Sequence, residues 1–254
     1  MVDEVLVGPL RQQGSGVRFD WGSEAATLLG GDAGAVVVVD VLSFTTSVSI
    51  ATVRGTEVVP FPMDAEGAAE LAARLGATLA VRRREQSPEH PWSLSPAALL
   101  AAPPPPRLVL PSPNGSAIAA SLGGPAVLAG CLRNLSATVG WLRAHGYGAV
   151  DRPVLLVAAG ERWPDGSLRP ALEDQLGAGA VAGALERAGC KLSVEAQIVA
   201  GAFASATDLL AAIEGCASGR ELAAMGFPDE ARHAAALDAD AHASVMEQGA
   251  FVSA

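Results

Sequence analysis

Apolar residues in this chain come in short β-like runs, each followed by a polar loop and then an Ala-rich helical segment. Ala35–Val39 leads into Asp40 and a helix over Phe44–Arg54. Arg107–Leu110 leads into Pro111–Ser116, Val127–Gly130 into Cys131–Asn134, and Val154–Ala158 into Ala159–Trp163. Such alternation predicts parallel strands with crossover helices on both faces of one sheet. Open sheets of this kind bind ligands beyond their strand ends, where loops converge and helix N-termini present unpaired N–H groups. Four polar loops in that position point to a composite small-molecule site, most simply one for an anion.

The remaining pattern is read the same way. Val2–Val7 is a first strand, and Gln12–Gly34 holds a strand edge and a short helix over Ser23–Leu29. Glu57–Phe61 is another strand. Asp64 caps a helix over Ala65–Leu75, which places Ala68, Leu71, Ala72 and Leu75 on one face. Leu79–Val81 is a short strand, and Arg82–Ser95 is irregular. Pro96 opens a short helix that the stiff run Pro103–Pro106 ends. Asn134 caps a helix through Ala144, and Pro170 starts one reaching Ala188. Leu192–Val199 alternates weakly as a strand, Ala200–Ile213 is helical, and the last forty residues are helices ending in a short strand or tail. The expected whole is a three-layer α/β/α fold with a mixed, mostly parallel sheet, a single domain over residues 1–254.

Composition narrows the function. Of 254 residues, 50% are hydrophobic and 17% charged, which suits a compact enzyme-like protein. The net charge of −10 repels phosphodiester backbones, so nucleic acid is not an expected partner. Sixteen of the seventeen basic residues are Arg, so an anionic substrate must be held by local Arg groups, backbone N–H groups or a metal. No apolar run approaches the roughly 20 residues of a membrane span, and Met1–Arg18 lacks a basic region followed by an apolar core. Cys131, Cys190 and Cys216 show no Cys-x-x-Cys spacing and read as free thiols of a cytoplasmic protein.

Three segments can carry chemistry. Asp40 ends a buried strand, where a carboxylate can bind Mg²⁺, hold a substrate hydroxyl, take a proton, or simply cap the next helix. Ser112-Pro113-Asn114-Gly115-Ser116 is either a phosphate cradle at a helix start or a tight turn capped by Asn114 or Ser116. Glu161 and Arg162 share the loop that leads to Glu173 and Asp174; acids there suit the helix dipole, and joined with Asp40 they would make an oxygen-rich Mg²⁺ site. Arg82-Arg83-Arg84-Glu85 reads as a solvated face, or as an Arg cluster beside an anion site. Gly177–Gly183 resembles a dinucleotide loop but lies within a helix, where small residues allow close packing. Asp238-Ala239-Asp240 lacks a preceding strand, and the four His residues show no zinc spacing.

Val38-Val39-Asp40-Val41-Leu42, Ser112–Ser116, Asn134 and Glu173-Asp174-x-x-Gly177-Ala178-Gly179 occur in the order and spacing of the 2-phosphosulfolactate phosphatase family, which the chain resembles. The similarity continues through Ser218-Gly219-Arg220-Glu221-Leu222 to Gly226-Phe227. The resemblance implies a Mg²⁺-dependent phosphatase acting on a small anionic phosphate ester, a homodimer, and in methanogens a place on the route to coenzyme M. Asp40, Glu173 and Asp174 would be catalytic and hold the metal. Ser112, Asn114, Gly115, Ser116, Asn134, Glu161 and Arg162 would bind substrate. No side chain stands out as nucleophile, which makes direct attack by metal-bound water the default. Two departures stand out: Ser43-Phe44 replaces the family's Arg-Ala after Asp-Val-Leu, and Arg83–Gln86 and Ser93–Pro96 replace two further stretches. Ser cannot supply the charge of Arg, so Arg162 or Arg133 would take the vacated role. The competing reading is a non-catalytic anion-binding relative.

Overall fold

The structure is a computed structural model that describes residues 8–63 and 66–254. The first strand expected at Val2–Val7 and the Asp64 cap lie outside the described residues. Nine strands form one sheet: β1 Val17–Trp21, β2 Ala35–Val39, β3 Glu57–Pro62, β4 Thr78–Leu79, β5 Arg107–Ser112, β6 Ala126–Gly130, β7 Val154–Ala158, and a late hairpin. A separate small hairpin, β8 Glu161–Arg162 with β9 Leu168–Arg169, follows β7. The late hairpin is β10 Ser244–Glu247 and β11 Ala250–Ser253. The sheet order is β1-β7-β2-β6-β10-β11-β3-β5-β4. β1, β7, β2 and β6 are mutually parallel, as are β3, β5 and β4. Three antiparallel pairings through β10 and β11 join the two blocks, which therefore run in opposite directions.

β2 shows why the sheet has helices on both faces. All five of its residues are buried, and they divide by parity: Ala35, Val37 and Val39 pack on one face, Val36 and Val38 on the other. Burial of each valine is worth roughly 1.5–3 kcal/mol, so this strand must be covered twice. The first face carries α6 Leu135–Ala144, α7 Leu172–Arg187 and α8 Val194–Ser205. The second carries α1 Gly22–Leu29, α2 Phe44–Val53 and α5 Gly115–Ser121. The three-layer α/β/α expectation, with a mixed and mostly parallel sheet, holds. α3 Ala68–Leu75 and α4 Pro96–Ala101 complete the first half of the chain, and α9 Leu209–Gly215, α10 Ala217–Ala224 and α11 Glu230–Ala234 precede the late hairpin. Among the described residues no single helix is long and apolar enough to cross a membrane.

The glycines of α7 are packing devices. A Cβ on Gly177 would come within 2.7 Å of the Val41 side chain, and one on Gly179 within 2.1 Å of the Val199 carbonyl oxygen. α7 therefore lies directly against both the β2 end and α8, as the small-residue reading expected.

Several boundaries differ from the sequence pattern. Leu192–Val199 is not a strand: the Ser193 hydroxyl accepts the Ala196 N–H at 3.1 Å, and this cap starts α8 at Val194. Leu192 makes only an isolated bridge to Val17. α3 begins at Ala68 after Gly67, whose φ of +96° a helix interior does not admit. The helix expected from Pro170 begins at Leu172. The expected terminal strand is a hairpin in the middle of the sheet.

Candidate active site

Asp40 follows β2 and is 7% exposed. Its two oxygens accept backbone N–H bonds from different elements, Phe44 at 3.2 Å to Oδ1 and Gly115 at 2.8 Å to Oδ2. One lone pair on each oxygen stays available. The Gly115 bond brings the start of α5 against Asp40 so closely that a Cβ there would lie 2.6 Å from both Asp40 Oδ2 and the Phe44 ring. Only glycine fits. β5 runs opposite to β2 in the sheet, yet the loop after it reaches the residue at the end of β2.

The loop after β5 works differently from the expected phosphate cradle. The Ser112 hydroxyl accepts the Ser116 N–H at 3.0 Å, and the Ser116 hydroxyl accepts the Ser112 N–H at 2.9 Å and donates toward the Phe61 carbonyl at 2.6 Å. Ser112 and Ser116 staple the turn, and the Gly115 N–H belongs to Asp40. The first two amides of α5, those of Gly115 and Ser116, are thus committed inside the protein, the former to an acceptor 75 residues earlier in the chain. Neither Asn114 nor Ser116 caps α5 with its side chain. Asn114 instead donates its amide to Glu161 Oε2 at 3.1 Å.

Asp174 is a clamp. Its Oδ1 accepts the Val41 N–H at 2.7 Å and its Oδ2 the Gly160 N–H at 2.9 Å, so the loops after β2 and β7 are fixed to each other through the start of α7. Glu173 accepts the Cys216 thiol at 3.2 Å, and that thiol in turn accepts the Gly219 N–H at the first turn of α10. Asn134 bonds within its own loop, accepting the Cys131 N–H at 2.9 Å and donating to the Ala129 carbonyl at 3.0 Å, and it does not cap α6.

Neither arginine expected near the anion stands beside Asp40. Arg133 forks onto Asp240 at 2.8 and 2.9 Å in a buried ion pair that also receives the Ser49 hydroxyl. Arg162 donates to the Gly166 carbonyl at 2.9 Å across the β8–β9 hairpin. The guanidinium that does reach the site is that of Arg83, whose Nη2 donates to Ser43 Oγ at 2.7 Å and to the Leu94 carbonyl at 2.8 Å. Arg83 reaches the site out of the Arg82–Glu85 run, and its partners lie too far along the chain for spacing to reveal them.

Two cavities meet at Asn114 and Glu161. The inner one, about 230 Å³, is lined by Asp40, Ser43, Arg83, Ser218 and Glu221 as well as those two. The outer one, about 570 Å³, opens between Trp21, Glu24, Ile118, Arg162 and Leu168. Glu173 and Asp174 line neither, although their charges reach Asp40. Burial pushes the Asp40 carboxyl up to about 6; two backbone N–H bonds and Arg83 oppose this and the Glu173 charge adds to it. Glu161 is pushed up to about 7, again by burial first and then by the charge of Asp40, against the Asn114 bond. Asp174 lies well above the carboxylate range, because burial beside Asp40 and Glu173 outweighs its two N–H bonds. The chamber thus sets the buried Asp40 beside the half-buried Glu161, with little positive charge to offset them.

The three-acid metal set of Asp40, Glu173 and Asp174 is not assembled: among the described residues no group of three His, Cys, Asp or Glu is arranged to hold a metal ion. The reason is placement: Asp174 holds the two loops together from behind the chamber and lines neither cavity, and Glu173 turns toward Cys216. A different donor set does suit Mg²⁺. That ion keeps several waters and is usually held by one or two carboxylates together with substrate phosphate, and Asp40 and Glu161 both present hard oxygens to the inner chamber.

The fold and this chamber define an α/β protein with an acid-lined cavity beyond its strand ends. A family model described as 2-phosphosulpholactate phosphatase matches residues 27–249 of the 254, and the chain belongs to that family of phosphatases. A search of curated proteins found no match.

Proposed function

We propose that the chain is a Mg²⁺-dependent phosphatase that hydrolyses a small anionic phosphate monoester, 2-phosphosulfolactate or a related phosphorylated hydroxy acid, in the inner chamber. The observation that carries this reading is the rigid presentation of Asp40 beside Glu161 at strand ends, within a chain of this family. Asp40 and Glu161 would hold the metal. Bound there, Mg²⁺ supplies positive charge to the phosphoryl oxygens, the main requirement of phosphoryl transfer.

The chain's own residues supply position. The Phe44 and Gly115 N–H groups fix the plane of the Asp40 carboxylate, and the Asn114 amide fixes Glu161. Asp174 locks the loops that carry both acids into one geometry. Groups held this way need no reorganisation as charge develops in the transition state.

Ser43 motivates a second reading, a relative that binds anions and has lost hydrolysis. Purified protein incubated with Mg²⁺ and a panel of phosphorylated C3–C4 acids separates the two. Phosphate release that Asp40→Asn abolishes supports the phosphatase. Calorimetric binding without turnover on every compound overturns it in favour of the binding protein.

A further inference from the structure

Five buried side-chain atoms lack a hydrogen-bond partner among the described residues, and two of them belong to residues lining the inner chamber: Ser218 Oγ and Arg83 Nε. The others, on Arg18, Thr138 and Glu230, belong to residues that do not line it. A buried hydroxyl without a partner is costly and calls for an explanation. Ser218 is 4% exposed and is the second residue of α10, so its side chain meets the chamber at the N-terminal end of that helix. That end carries the positive pole of the helix dipole.

Arg83 is the one basic residue among those lining the chamber. Ser43 and Leu94 fix Nη2, Nε lies 4.0 Å from Glu230 Oε1, and Cζ stands 5.9 Å from the centre of the Phe227 ring. These contacts leave Nη1 without a hydrogen bond among the described residues. A guanidinium immobilised in this way loses little freedom when it binds a ligand.

We infer that Ser218 and Arg83 form a donor wall that holds a tetrahedral oxyanion, a phosphoryl group, in the inner chamber. A hydroxyl, a guanidinium and a helix N-terminus all favour negative charge, and a planar fork suits phosphate oxygens. Asp40, Glu161 and Glu221 line the same space and repel an anion, so the attraction must come from this wall and from any cation the acids hold. The inference deepens the phosphatase reading, on which it rests for the identity of the ester.

The test is calorimetric titration of the full chain with orthophosphate in the presence of Mg²⁺. Hydrogen bonds to a charged group set the scale: Ser218→Ala should weaken phosphate binding about tenfold, and Arg83→Gln by about 30-fold or more. Arg83→Lys, which keeps charge but not the fork, should fall between. Ser218→Ala removes an oxygen that bonds nothing among the described residues, so its melting temperature should not drop. That variant decides the matter if Arg83→Gln fails to fold. Wild type that does not bind orthophosphate, or variants that bind it as tightly as wild type, overturn the inference. Ester turnover is assayed separately on the same samples. Phosphate binding that depends on these two residues, with no release from any ester, keeps the donor wall and removes the hydrolase.

Discussion

Replacing Asp40 by Asn tests whether the metal-free chamber is electrostatically strained. Burial, with the Glu173 charge adding to it, lifts the Asp40 carboxyl from its ordinary 3.8 to about 6. Each tenfold change in proton affinity is worth about 1.4 kcal/mol, so keeping Asp40 ionised above that value costs the folded, metal-free protein about 3 kcal/mol. Because the folded value lies above the unfolded one, the stability this group lends is complete below pH 3.8 and is lost as pH rises through about 6. Glu161, lifted to about 7, loses stability in the same direction, and its own rise shrinks when the Asp40 charge is removed. Asn has no charge at any pH, but its amide nitrogen faces either the Phe44 or the Gly115 N–H and leaves one buried donor unpaired, a cost of about 1–3 kcal/mol throughout. The variant should therefore be the less stable protein near about pH 4.5, and between there and about pH 8 the Asp40 charge alone should close the gap by about 2 kcal/mol, enough to offset much of it. Urea unfolding in EDTA at several pH values measures both curves, and added Mg²⁺ should restore wild-type stability at the upper end. A wild-type-minus-variant difference that stays flat across this range refutes the reasoning.

Other consequences are simpler. Gly115→Ala drives a methyl into Asp40 and Phe44; overpacking of this kind should destabilise by about 1–3 kcal/mol, visible in denaturant midpoints, and should reduce turnover. Arg133→Met leaves Asp240 buried without its partner and should cost about 3–5 kcal/mol, while replacing both residues with apolar ones should recover much of that loss. Burial pushes the Cys131 thiol up to about 11 and Cys216 up to about 12, the latter with the Glu173 charge adding, so neither should react with iodoacetamide in the native protein near neutral pH, as mass spectrometry would show.

The layered sheet was legible because β2 is apolar at every position and ends on an acid, a pattern with few other physical solutions. Asp40, Asn114 and Glu161 were legible for the same reason: each sits where a strand stops. Their individual duties were not. Nothing local in Ser112–Ser116 says that its amide will be claimed by an acid from another loop, or that Asp174 will tie two loops together away from the chamber. Arg83 lies in an irregular segment, and its contacts with Ser43 and Glu230 span 40 and 147 residues of chain. Ser193 illustrates the opposite failure. A helix cap stood in plain view within a weakly alternating run, and the alternation took precedence.

The placement of β10 and β11 bears on how the molecule can be assembled. Residues 244–253 are made after every other strand, yet they sit between β6 and β3 and supply the pairing that joins the two parallel blocks. A nascent chain that has not yet delivered them holds two half-sheets with raw inner edges, a ready template for pairing with the wrong neighbour. Trimming even this short segment should cost solubility before it costs chemistry, and a tag fused just after it would burden the seam that closes the molecule.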